Sequence, residues 1–145
     1  MLILACDHGG YLLKEEIKRH LDSRGIEYTD CGTDSEESVD YPIYAKKALD
    51  LMKDKEQDRV ILICGTGLGM MLCANRVEGV RAVCVSDTFS AKHSRSHNNA
   101  NVLCIGGRVL SAEAAREIVD LFLDTEFDGA RHSRRLNQID ELFIS

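Results

Sequence analysis

Cys64 opens the run Cys64-Gly65-Thr66-Gly67-Leu68-Gly69, in which a thiol is followed by three glycines within five positions. A glycine-rich turn leading into a helix presents several backbone N–H groups together, and the helix dipole adds positive potential. Such a turn can hold an oxyanion, and the same field favours thiolate over thiol at Cys64. The chemistry on offer is a reactive thiolate beside a bound anion.

Other uses of this run fail at particular positions. A P-loop needs Gly-x-x-x-x-Gly-Lys-Ser/Thr, which is absent. A dinucleotide fingerprint needs a third glycine where Met70 stands. A cysteine-phosphatase loop would carry an arginine six residues after its nucleophile, and that position is Met70 again.

Three more polar clusters stand out. Asp7-His8-Gly9-Gly10 follows the apolar run Leu2 to Cys6. Ser94-Arg95-Ser96-His97-Asn98-Asn99-Ala100-Asn101 reads most simply as a solvated loop capping a helix end, and His97 by itself does not argue for more. In Arg131-His132-Ser133-Arg134-Arg135, the residues Arg131 and Arg135 are four apart, so on a helix they would project from one face and could grip a phosphate. Charge alone fits a soluble surface equally well.

The elements that must position these clusters follow from the apolar pattern. Leu2 to Cys6, Ile26 to Asp30, Val60 to Cys64, Arg81 to Val85 and Asn101 to Ile105 are each short, aliphatic and strand-like. Between them, Tyr11 to Arg24 repeats Leu13, Ile17 and Leu21 at helical spacing before Gly25, and Pro42 suits the first turn of a second helix. Ser111 is a natural N-cap for a helix to about Leu123, and Leu136, Ile139 and Phe143 stripe a C-terminal helix. The pattern predicts an α/β fold: a five-stranded parallel sheet in flavodoxin-like order 2-1-3-4-5, with helices on both faces. Chain direction reverses between strands 1 and 3, so a crevice should open at their C-terminal ends, where Asp7-His8 and Cys64 meet.

Composition narrows the partners. The 145 residues suit one domain over 1–145, and 18 Lys plus Arg against 24 Asp plus Glu give a net charge of -6, which disfavours nucleic acid and anionic membranes. The apolar runs fall far short of a membrane span and no signal-peptide pattern opens the chain, so a cytoplasmic location is expected. The six cysteines include no CxxC pair and no interleaved histidines, so neither disulfides nor a metal site is expected. Cys6, Cys73, Cys84 and Cys104 read as small buried hydrophobes, and Cys31 sits beside a turn glycine.

Taken in order, Cys6-Asp7-His8-Gly9-Gly10, Asp40-Tyr41-Pro42, the Cys64 loop, Ser94-Arg95-Ser96-His97-Asn98, Gly106-Gly107-Arg108 and Gly129-Ala130-Arg131-His132 resemble the type B ribose-5-phosphate isomerases along nearly the whole chain. The resemblance implies Cys64 as base, with Gly65, Thr66, Gly67, Leu68 and Gly69 around the enediolate, and His97, with Asn98 beside it, for ring opening. It further implies sugar contacts at Asp7, Asp40 and Tyr41, and phosphate contacts at His8, Arg108, Arg131 and Arg135. One branch places a glutamate base in the loop; the corresponding residue here is Leu68, which leaves Cys64. No metal or organic cofactor is implied. The same family includes allose- and galactose-6-phosphate isomerases, and a non-catalytic sugar-phosphate-binding module on this fold is a further alternative. Because Cys64 ends strand 3 while His97 precedes strand 5, the two should lie near opposite edges of the sheet, about 17–20 Å apart. A homodimer with shared active sites is therefore expected, and the resemblance also admits a dimer of dimers.

Overall fold

Residues 1–144 are described by a computed structural model in which strands and helices alternate. The strands are β1 (Leu2–Cys6), β2 (Thr29–Asp30), β3 (Arg59–Cys64), β4 (Ala82–Cys84) and β5 (Val102–Gly106), all parallel. The helices are α1 (Tyr11–Ser23), α2 (Tyr41–Leu51), α3 (Leu68–Ala74), α4 (Thr88–Ser96), α5 (Ala112–Asp124) and α6 (Arg131–Phe143), with a 3-10 turn at His8–Gly10. The α/β class, the helices on both faces and the C-terminal helix agree with the expectation.

The strand order is β2-β1-β3-β5-β4. The expected order 2-1-3-4-5 is corrected at its end, where β5 takes the interior place beside β3 and β4 becomes the edge. Burial accounts for the exchange. Every residue of β5 is buried, as suits an apolar strand covered on both faces, whereas β4 has three residues and two of them are partly exposed. β2 is likewise an edge strand, and only Thr29 and Asp30 of the expected run pair with β1.

Return of the chain inward from β4 to β5 also decides where α4 lies. A right-handed crossover made in the reverse direction puts its helix on the other face. Accordingly Ala91 of α4 joins Leu13, Ile17 and Leu21 of α1 and Ala115, Ile118, Val119 and Phe122 of α5 in one core layer. The layer on the other face holds Ala45, Ala48 and Leu49 of α2 with Met70 and Ala74 of α3.

Caps follow local chemistry. Ser111 Oγ accepts from the Ala114 N–H at 3.1 Å at the start of α5, as its residue type predicted. Gly25 ends α1 with a φ of 68°.

α6 differs from the other helices because it buries only His132 on its own chain and leaves Ile139, Leu142 and Phe143 at 51%, 75% and 80% exposure. Its entry turn is strained: Ala130 holds φ 53° and ψ −124°, backbone space ordinarily left to glycine. Ala130→Gly is therefore expected to stabilise the fold by about 1 kcal/mol, strain relief outweighing the added freedom of the unfolded chain. The measurement is the urea midpoint at fixed protein concentration, and a lower midpoint would show that the turn carries no strain.

Candidate active site

With β5 beside β3, three turns meet at the C-terminal ends of β1, β3 and β5. The Gly107 N–H donates to the Cys64 carbonyl at 2.8 Å, and the Arg108 N–H donates to the Gly65 carbonyl at 3.0 Å. A Cβ on Gly107 would overlap the Gly9 carbonyl oxygen, so the turn after β5 can seat only with glycine at that position.

Cys64 sits at the centre, 5% exposed, and its Sγ accepts the Gly67 N–H at 3.1 Å. Gly67 reaches that position with φ 84°, left-handed backbone that favours glycine, and opens α3 directly afterwards. Thr66 and Leu68 are exposed at the mouth, and Thr66 Oγ1 accepts the Leu68 N–H at 3.3 Å. The Tyr41 ring lies against Gly69, at a spot where any side chain on Gly69 would collide with it. Asp40 is exposed at the N-terminus of α2, one residue earlier.

The turn after β1 supplies the facing wall. Asp7 Oδ1 accepts the N–H groups of Gly9 and Gly10 at 2.9 and 3.2 Å, so this carboxylate also folds its own turn. His8 Nδ1 accepts the Val39 N–H at 3.1 Å, which leaves Nε2 to carry the ring proton and donate outward. His8, Glu36, Gly107 and Arg108 line a cavity of about 320 Å³ there. The Arg108 guanidinium lies beside Gly65 of its own chain.

His97, Asn98, Arg131 and Arg135 belong to a second group at the other end of the sheet. His97 is the C-cap of α4, and the Val60 N–H bond to the Asn101 carbonyl places the following residues beside the start of β3. From there to Cys64 is about 17 Å along the strand. The chain therefore gathers Asp7, His8, Asp40, Tyr41, Arg108 and the Cys64 loop, and holds the other four residues apart.

Ser94-Arg95-Ser96 is a structural anchor, and the solvated-loop reading is corrected here because all three residues are buried. The Arg95 guanidinium donates to Asn99 Oδ1 at 2.8 Å, to the Ala100 carbonyl at 2.7 Å and to the Thr125 carbonyl at 3.4 Å, tying the turn that carries His97 to the segment after α5. Burial, with Arg59 and Arg81 nearby, pushes its pKa down to about 10. Two neighbours of the groups were not singled out from sequence. Cys84 donates its S–H to the Thr66 carbonyl at 3.5 Å from below the glycine loop, and His132 lies flat on His97. The only sequence signal for His132 was its place among the arginines after Ala130.

Burial pushes Cys6 up to about 11, holds Cys104 well above the ordinary thiol range, and raises Cys31, Cys73 and Cys84 as well.

A comparison with known proteins converges on one group. The sequence profile described as Ribose/Galactose Isomerase matches residues 2–139. Ribose-5-phosphate isomerase B of Escherichia coli is 46% identical over 138 residues, covering 95% of this chain and 93% of that one. Among solved structures, a ribose 5-phosphate isomerase from Thermotoga maritima is 52% identical with a TM-score of 0.92, covering 97% of each chain. Ribose-5-phosphate isomerase B from Mycoplasma genitalium, solved with bound ribulose-5-phosphate, is 39% identical with a TM-score of 0.91, covering 97% of this chain and 93% of that one.

At about pH 7.5, iodoacetamide is expected to label Cys64 ahead of the partly exposed Cys31, Cys73 and Cys84, because only Cys64 is bonded by a loop amide at a helix N-terminus. Peptide mass spectrometry reads the order, and prior labelling of any other cysteine would remove the case for a reactive loop thiol.

Proposed function

The chain belongs to the ribose/galactose isomerase family, and from that premise we propose that it interconverts ribose 5-phosphate and ribulose 5-phosphate with the Cys64 thiolate as base. Its reaction class is aldose–ketose isomerisation of a sugar phosphate. The observation that carries the assignment of the base is the 3.1 Å bond from the Gly67 N–H to Cys64 Sγ, within a turn whose carbonyls are bound by Gly107 and Arg108.

In this reading the thiolate takes the proton from C2 of the open aldose and returns it to C1, while the hydroxyl proton passes from O2 to O1. Between the two steps the enediolate carries its charge on oxygen. The loop N–H groups other than those of Gly67 and Leu68, which are bonded to Cys64 Sγ and Thr66 Oγ1, face that charge together with the Thr66 hydroxyl, each important donor contributing about 3 kcal/mol in the transition state. Asp7, Asp40 and Tyr41 border the sugar, and the His8 Nε2–H and Arg108 supply donors from the facing wall.

Ring opening needs a group that can both give and take a proton, and the two ring nitrogens of His97 are of that kind. One chain holds His97 beyond the opposite end of β3 from Cys64, a strand length of about 17 Å, too far to serve the same sugar. A second copy related by a twofold axis can bring its His97, Asn98, Arg131 and Arg135 to this Cys64 and receive the same in return. The exposed apolar face of α6 supports pairing, since Ile139, Leu142 and Phe143 are left uncovered by the described residues of their own chain.

Cys64→Ala is expected to lower kcat on ribose 5-phosphate by about 100-fold or more with little change in KM, because only the proton transfer loses its catalyst. Binding of sugar phosphate by a native protein that never turns it over would identify a binding module instead, and faster turnover of allose or galactose 6-phosphate would reassign the substrate. Arg131→Ala and Arg135→Ala should chiefly raise KM and weaken inhibition by inorganic phosphate; if neither constant moves, that helix face is solvated surface. Refolding Cys64→Ala together with His97→Asn should restore activity, since each mixed dimer regains one intact site. Inactive mixed dimers would place both residues' work within one chain.

A further inference from the structure

Three of the chain's five histidines meet at the end of α4. The His97 and His132 rings stack with centroids 4.1 Å apart and planes 14° from parallel, and His93 meets His97 edge-on at 4.6 Å and 82°. His93 in turn stacks on Phe89 and donates its Nδ1–H to the Phe89 carbonyl at 2.8 Å, which fixes that end of the ladder. Asp128 completes the group, with one donor atom each from His97, Asp128 and His132 within 4.8 Å of one another.

Two histidines and a carboxylate are a familiar zinc donor set. The stack argues for a different role. Rings 14° from parallel carry their nitrogen lone pairs side by side, whereas a metal needs them to converge on one point. Face-to-face contact restrains how the His97 ring can turn.

The contact is assembled from three segments, each separately held. The His97 N–H donates to the His93 carbonyl at 2.9 Å, the Asp128 N–H to the Ser96 carbonyl at 2.9 Å, and the His132 N–H to the Gly129 carbonyl at 3.1 Å. Between Asp128 and His132 the chain turns through Gly129 at φ 69° and the strained Ala130. Strain of this kind persists only where the surroundings over-determine it. What this turn delivers to its own chain is the His132 ring, the one residue that α6 buries.

We propose that His132 is a positioning residue for sugar ring opening, its ring and the adjacent Asp128 carboxylate holding His97 in the orientation that presents a nitrogen to the sugar. The proposal rests on the assignment of His97 as the ring-opening group. Burial, together with His97, Arg131 and Arg135, holds His132 below the ordinary imidazole range, while Asp128 opposes them.

Ring chemistry supplies a test that separates this role from folding or binding. Ribose 5-phosphate closes a furanose ring through O4, but ribulose 5-phosphate would need O5, which is esterified. Exchange of a C1 hydrogen of ribulose 5-phosphate with D2O, followed by NMR, therefore reports on Cys64 without ring opening. His132→Ala is expected to lower kcat on ribose 5-phosphate about tenfold while leaving C1 exchange within about twofold of native. His132→Phe, which keeps a flat ring in the stack, should recover most of the lost turnover. Equal loss of turnover and exchange in both variants, or no loss of turnover in His132→Ala, would overturn the proposal. His97→Asn assayed alongside separates the two assignments. Impaired His97→Asn with fully active His132→Ala defeats only the role of His132, whereas fully active His97→Asn, or a native protein that neither isomerises nor exchanges, defeats the reading of the site and this proposal with it.

Discussion

Backbone touches backbone where β1, β3 and β5 end, and the candidate site depends on that approach. Carbonyl oxygens of Cys64 and Gly65 would repel a developing oxyanion, but the N–H groups of Gly107 and Arg108 bind both of them into the protein. The bonds form because Gly107 lets its turn lie directly on Gly9. Preorganised dipoles cost no reorganisation during reaction, so the packing of main chain in these turns contributes as much to the site as any side chain.

The same contact explains why strand order matters to chemistry. If β4 stood next to β3, the turn after β5 would be two strands away, and neither Gly107 nor Arg108 could reach the Cys64 loop. Which runs were strands was legible, because each is short, aliphatic and bounded by turn residues. Which strand lay inside was not read, since neighbour order depends on how completely a strand is covered. The trace was present: Val102 to Gly106 is buried throughout, while the run around Ala82–Cys84 gives way at once to Ser86-Asp87.

Local chemistry was the easiest part to read. Cys64 and its glycines are adjacent in sequence, so their spacing already describes a loop, and Ser111 and Gly25 end or begin helices for reasons contained in the residues themselves. Contacts across the chain were opaque. His97 and His132 are 35 positions apart, and their stacking depends on a backbone angle at Ala130 that no alanine advertises. Arg95 misled for the related reason that a charged residue in a polar run reads as solvated, although three carbonyl-type acceptors let it be buried without a carboxylate.

Tight contact among the turns after β1, β3 and β5 also limits how this scaffold can diverge. α/β enzymes commonly acquire new specificity by lengthening the loops at this end of the sheet. Here an inserted residue in any of those three turns would pry its neighbours apart, so that route is closed. Freedom remains in the segment Asp34–Asp40, which is largely exposed and delivers Asp40 and Tyr41 to the mouth. Substitutions and insertions should therefore accumulate in that segment and on the exposed end of α4, while the floor of the candidate site stays nearly unchanged.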